Sequence, residues 1–217
     1  MRVIVITRLI FDRGHLTCDN VDMTKVIQKR TLETRARLIA AAESIIAEAG
    51  FEALRVEEVV SRAGTAKGTF FAHFRDKDSM MVRVVGARID AFLDDMEKGP
   101  APRTVEEIVT ALMPLCTFMA SERYVFDLIL RHSGAAAIEE IGEIAVTFGR
   151  QQEIFERWLT AGAFRKDVPV SILAEGMQAF CIQTIALRFC ALHAELATDD
   201  QLRKYFAAWL AAPGDGL

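Results

Sequence analysis

The chain is poor in the residues on which most enzyme chemistry depends. Its four histidines, His15, His73, His132 and His193, are scattered along 217 residues. No H-E-x-x-H, G-x-S-x-G, P-loop or dinucleotide fingerprint occurs. The acidic pairs Asp94-Asp95, Glu106-Glu107 and Glu139-Glu140 are adjacent in sequence, so on a helix they diverge as solvated faces. No catalytic group, metal site or cofactor is therefore expected. A helical enzyme acting on an apolar substrate stays only as a distant alternative. Cysteine is also scarce. Cys18, Cys116, Cys181 and Cys190 form no C-x-x-C pair and no zinc-finger spacing. They read as reduced thiols of a cytoplasmic protein, with a redox sensor as the other option. No apolar stretch approaches the roughly 20 residues that cross a membrane. The Val3 to Phe11 run is broken by Arg8, and no clean cleavage site follows it.

Over half of the chain is hydrophobic by count, and only five residues are proline. Alanine, leucine, glutamate and arginine dominate. This composition favours an all-α protein with a sizeable core. The net charge of −4 is unevenly spread. Residues 23–83 hold eleven Lys/Arg against eight Asp/Glu, whereas residues 84–217 hold twelve against nineteen. The basic excess thus lies in one short segment, and a large acidic remainder would repel DNA elsewhere.

That basic segment contains Gly50-Phe51-Glu52-Ala53-Leu54-Arg55 and the run that follows, to Phe74. Val56, Val59, Val60 and Ala63 recur at helical spacing. Gly64 ends that helix, because glycine takes the left-handed cap conformation without strain. Thr65 is placed to cap the next helix. Phe70 and Phe74, four apart, anchor it inward, which leaves Lys67, Thr69 and His73 facing elsewhere. Two short helices, a glycine turn and donors on a free face make a DNA-binding helix-turn-helix.

Around it, a first helix is expected over Thr31 to Ala49, ended by Gly50. Its Arg35 and Arg37 either approach a phosphate backbone or are solvated. A fourth helix starts at the N-cap Asp76 and carries Met80, Met81, Val84, Val85, Ile89 and Phe92. Lys98 to Arg103 is a break. Thr104 with Glu107 forms a capping box for a fifth helix, which Pro114 kinks or ends. Ser121 caps a sixth helix to about Arg131. A seventh runs from about Ala135 to Ala161, and an eighth from Val170 to about Leu196. Thr198 with Gln201 caps a last helix to about Ala212.

Residues 34 to 83 resemble the N-terminal domain of the TetR family of bacterial transcription regulators. The matching features are Ala41-Ala42 through Glu48-Ala49-Gly50-Phe51, Val56-x-x-Val59-Val60-x-x-Ala63-Gly64, Lys67-Gly68-Thr69-Phe70-Phe71-x-His73-Phe74, and Lys77-Asp78. The resemblance implies three segments. Residues 1–22 are an extension outside the family pattern. Residues 23–83 form the helix-turn-helix domain, and residues 84–217 form a helical effector-binding and dimerisation domain. Met23-Thr24-Lys25 resembles an ordinary start for such a regulator.

Lys67, in the first turn of the recognition helix, suits a phosphate, and in the family this position commonly touches DNA. Gly68 permits close backbone approach, and Thr69 and His73 can donate to phosphate. Lys77 lies near the start of the fourth helix. The sequence departs from the family at Phe71, where a tyrosine hydroxyl often binds phosphate, and at Arg55, which replaces a capping Ser or Thr. Ala66 and Ala72 replace larger polar residues, so base recognition leans toward apolar contact and DNA shape. The DNA-binding candidates are thus Arg55, Ala66, Lys67, Gly68, Thr69, Phe71, Ala72, His73 and Lys77.

The rest is rich in phenylalanine and methionine. Such residues make either a core or an adaptable pocket. The resemblance implies a pocket for a small apolar effector, with Phe92, Met113, Cys116, Met119, Phe126, Phe148 and Phe155 as its candidates. It also implies a homodimer through the last two helices, with Phe180, Ile185, Phe189, Phe206 and Trp209 as interface candidates. The expected protein is a dimeric, cytoplasmic repressor that binds double-stranded operator DNA and is released by an apolar effector. An activator or an effector-independent repressor has the same fold.

Overall fold

The computed structural model describes residues 19–133, 142–190 and 197–211. The described residues are all-α, with nine helices. They are α1 (Asp19–Ala49), α2 (Val56–Arg62), α3 (Lys67–His73), α4 (Lys77–Lys98), α5 (Val105–Met119), α6 (Arg123–His132), α7 (Glu143–Ala161), α8 (Val170–Arg188) and α9 (Thr198–Leu210). The first helix begins at Asp19, well before the expected Thr31. The expected starts and ends near Ala135, Leu196 and Ala212, and residues 1–18 of the extension, lie outside the described residues.

Local chemistry sets the helix-turn-helix. Leu38, Ala42 and Ile45 of α1, Val59 and Val60 of α2 and Phe70 of α3 are all buried in one core, with α2 packed on both α1 and α3. Gly50 and Gly64 both have positive φ, +85° and +61°, and each ends a helix where a Cβ would be strained. Arg62 joins α2 to α1, with its guanidinium 2.5 Å from Glu48 and 2.6 Å from Glu58. Asp76 caps α4 as expected. Its carboxylate accepts from the Ser79 amide at 2.7 Å, and the Ser79 hydroxyl accepts from the Asp76 amide at 3.1 Å.

Three expected caps are corrected. Ala66, not Thr65, is the residue before α3, and the Thr65 hydroxyl is buried without a partner. Ala197 precedes α9, and the Thr198 hydroxyl is likewise buried and unpaired. Glu122, not Ser121, precedes α6. The α5 box is half formed. Thr104 accepts from the Glu107 amide at 3.2 Å, but Glu107 turns to the Arg103 amide at 2.6 Å.

One core runs through all nine helices. The 83/84 boundary falls inside α4, so this helix serves both the helix-turn-helix and the larger bundle. Arg150 of α7 clamps α4 with contacts to Asp90, Asp94 and Glu97 at 3.1, 2.5 and 2.7 Å. Arg83 of α4 pairs with Glu143 of α7 about two turns earlier on both helices. Pro114 does not end α5, which continues to Met119. Among the described residues α8 does have the length and mean hydropathy of a membrane span, 19 residues at 1.4, contrary to the sequence expectation. It is instead a bundle helix. Leu173, Met177, Cys181 and Ile185 are buried, and it packs on α7 and α9.

Candidate nucleic-acid interface

The recognition element is α3, two turns held from beneath. Phe70 is fully buried and Phe74 nearly so, with ring centroids 5.5 Å apart. Their spacing turns the opposite face outward. Ala66, Lys67, Gly68, Phe71 and Ala72 are exposed, and Thr69 and His73 are half-buried. Phe71 is 51% exposed, an uncommon surface for a large aromatic, and its ring meets Phe70 edge-on. Apolar side chains on this face suit thymine methyls and sugars.

The cations around α3 are already engaged. The Lys67 ammonium lies 2.6 Å from Glu57 of α2. That contact holds the Glu57 carboxyl below its ordinary range. Lys77 does not reach out freely. Its ammonium sits 4.9 Å above the Tyr124 ring, and burial, with Arg55 nearby, holds it below the usual lysine value. Arg55 turns back onto its own loop and donates to the Glu52 and Leu54 carbonyls at 2.6 and 3.0 Å. Arg35 packs its guanidinium over Phe74 at 5.2 Å, and Arg37 reaches Thr34 at 3.4 Å. Nucleic-acid phosphates would have to draw Lys67 from Glu57 and Arg55 from the loop.

Sequence reasoning missed the residue that sets the approach to this element. Glu122, between α5 and α6, accepts from the amides of Phe51 and Glu52 at 2.7 and 2.9 Å. The larger bundle thereby caps the turn that leads into α2. Tyr124 and Arg131 of α6 add bonds to Asp78 of α4 at 2.7 and 2.9 Å. The only signal in the sequence is a glutamate between two helices, with its target 70 residues away.

The effector candidates do not form one cavity. Cys116, Met119, Phe126 and Phe155 are at most 4% exposed and belong to the packed core. Met113 and Phe148 are half-buried against it. Cys116 faces Cys181, and that hydrogen bond together with burial pushes the Cys181 thiol well up. Such a thiol is a poor redox sensor, because the thiolate is the reactive form. Of the seven, only Phe92 lines the cavity of about 660 Å³ between α4, α5 and their connection. Phe92, Leu115 and Trp158 give this cavity an apolar floor. From it a row of rings runs back to the helix-turn-helix. Phe92 and Phe118 are 5.6 Å apart, and Phe118 and Phe51 are 6.0 Å apart.

The interface candidates divide in the same way. Ile185 and Phe206 are fully buried within one protomer, so a partner cannot touch them. Phe189 stacks on Phe126 at 5.6 Å. Phe180 and Trp209 are half-buried beside each other, and the Trp209 indole donates to the Leu173 carbonyl at 3.1 Å. Ile172 and Val170, not anticipated from sequence, are exposed on α8.

Comparison with known proteins bears directly on the helix-turn-helix. Residues 38–84 match the model of bacterial regulatory proteins of the tetR family. The uncharacterized HTH-type transcriptional regulator YvdT of Bacillus subtilis is 30% identical over 110 residues, covering 50% of this chain and 56% of YvdT. The fatty acid metabolism regulator protein of the same organism is 25% identical over 113 residues, covering 50% and 58%. The chain thus spans little more than half the length of these relatives. Thermus thermophilus FadR, a TetR-family repressor solved with lauroyl-CoA, shares the fold at a TM-score of 0.59 and 16% identity. That match covers 84% of this chain and 100% of FadR. Residues 38–84, which hold the buried Phe70 and Phe74, the glycine turn and the outward α3, are thus similar to the helix-turn-helix segment of the tetR family of bacterial regulatory proteins.

Proposed function

We propose that the protein is a dimeric transcription repressor that binds operator DNA through α3 and is released by a small apolar effector. The observation that carries DNA binding is the outward face of α3, where Lys67, Gly68, Phe71 and Ala72 stand clear of the core on a helix fixed by Phe70. Lys67 supplies a phosphate contact, and Thr69, Phe71 and Ala72 supply base and sugar contacts. The dimer is supported by α8, which is apolar on faces its own bundle does not cover, including Ile172 at 44% exposure. Two copies would present two recognition helices to two half-sites.

The effector reading rests on the α4–α5 cavity and the ring row from Phe92 to Phe51. An occupant shifts the protein only by binding one conformation better than another. Residues 1–22 are an extension that DNA binding does not need, and the protein acts in the cytoplasm beside its DNA. The test is protection mapping on DNA upstream of the protein's own gene. A protected, two-fold-related pair of half-sites is expected. Binding that is equal on all sequences would sink the operator claim. Protection without release by any apolar compound would favour the effector-independent repressor, and raised transcription on binding would favour the activator.

A further inference from the structure

We propose, resting on the α4–α5 cavity as the effector site, that its ligand is an apolar molecule bearing a positive charge, such as an alkylammonium, rather than a carboxylate. The floor is apolar, with Phe92, Met96, Leu115 and Trp158. The polar groups sit at the rim, where Asp95, Glu106 and Glu107 line the cavity with one cation, Arg103. Glu106 is satisfied by Arg203, with contacts of 2.8 and 3.3 Å. Glu107 has only the Arg103 backbone amide, at 2.6 Å. Among the described residues no cation lies within ion-pair distance of Asp95 or Glu107. Two carboxylates thus border the apolar hollow outside any ion pair, against one guanidinium, Arg103, on the same rim. Both carboxylates are exposed, so salt and water screen their field, but over the apolar floor it still favours a cation and disfavours an anion.

The wall adds an acceptor. Pro114 has no N–H, so the Thr110 carbonyl lacks the partner it would have in a regular helix. Thr110 and Pro114 both line the cavity, one turn apart on the same face of α5. The carbonyl end of α4 also reaches the rim at Gly99, where helix polarity favours positive charge. At the opposing amino end of α5 the Thr104 hydroxyl accepts from the Glu107 amide, and the Glu107 carboxylate adds negative charge there, accepting from the Arg103 amide just before the helix. Arg103 is the one group that would welcome an anion, and an anion bound there would meet Asp95 and Glu107 as well. A coenzyme A thioester, with its phosphates, is disfavoured on the same ground.

The test uses the full-length protein and three probes with one ten-carbon tail, decyltrimethylammonium, 1-decanol and decanoate, below their micellar concentrations. Binding is followed by calorimetry and by the emission of Trp158, with Trp209→Phe making it the sole indole. The ammonium should bind at least about tenfold more tightly than decanoate, with decanol between them. The pair of changes Asp95→Asn and Glu107→Gln should bring that ratio to within about threefold and leave decanol unchanged. Arg103→Gln should keep the order. Decanoate equal to or tighter than the ammonium overturns the proposal, as does an order unmoved by the Asp95 and Glu107 changes. No saturable binding of any probe, the groove being empty or covered by a second copy, also overturns it. DNA binding measured without probe separates the two readings. Its loss sinks the repressor and leaves the head-group order standing, whereas a reversed order leaves the repressor intact.

Discussion

Removing the Glu122 carboxylate should loosen the helix-turn-helix from the rest of the molecule. Glu122 accepts from two backbone amides, one half-buried at Phe51 and one exposed at Glu52. A hydrogen bond to a charged group contributes about 1.5–3 kcal/mol when sheltered and less when wet. Glu122→Ala should therefore cost about 2–3 kcal/mol, with most of it from the Phe51 amide left without a partner. For a chain of this length that corresponds to a fall in Tm of roughly 4–12 °C.

A second variant makes the reasoning sharper. Gly50 has φ +85°, and a Cβ there would lie 2.8 Å from Glu122 Oε1. Gly50→Ala should cost about 1–2 kcal/mol for the left-handed backbone alone, plus the displacement of the carboxylate. In the Glu122→Ala background only the backbone cost remains, so the double variant should be more stable than the two losses added together. The assay is urea unfolding at one fixed protein concentration, because a dimer's stability depends on it. Amide exchange at Phe51 and Glu52 is the local readout. A Glu122→Ala loss below about 0.5 kcal/mol, with exchange unchanged at both amides, would refute the argument.

Lys67→Ala should weaken binding to every DNA sequence alike and reduce the salt slope by about one unit. Glu57→Gln should do the reverse, because it frees the Lys67 ammonium, and an unchanged slope in both would remove Lys67 from the interface. The Asp76 carboxyl is held below its ordinary value, first by the Ser79 amide, so its stabilisation is complete above about pH 4 and fades as pH falls through the lower folded value. Asp76→Ala should cost about 1 kcal/mol at pH 7, and that difference should shrink as pH falls below the ordinary carboxylate range; a constant difference in urea midpoints would show that the cap is not the cause. Ile172→Asp places a charge on the exposed apolar face of α8, and sedimentation at micromolar concentration should report monomers; a wild type already monomeric would defeat the dimer.

The helix-turn-helix was legible because its determinants are local. Gly50, Gly64, Phe70 and Phe74 act within a turn or two, and each behaves as its chemistry dictates. The caps at Thr65 and Thr198 were misplaced by one residue. Each threonine hydroxyl is buried and makes no capping bond. The phenylalanines and methionines proposed for a pocket went mostly to the core, because composition cannot separate a filled interior from a hollow one. The hollow lies where the sequence showed only a break, at Gly99 to Arg103 opposite Pro114. Glu122 was invisible for another reason. Its partners are two backbone amides on another element, and backbone groups leave no mark in a sequence pattern.

The bonds from Tyr124 and Arg131 to Asp78 have a bearing on how such proteins can be recombined. Asp78 stands at the start of α4, inside the matched residues 38–84, yet its partners lie on α6. A chimera that joins residues 1–83 to another regulator's sensor would keep every base-reading side chain. It would also strand the Asp78 carboxylate and the Phe51 amide. The transplanted head should then read the same operator but sit loosely on its new body, and its DNA affinity should no longer follow what the body binds. A working graft needs three recipient residues carried across with the head: a glutamate before α6, a tyrosine two positions on, and an arginine two turns further.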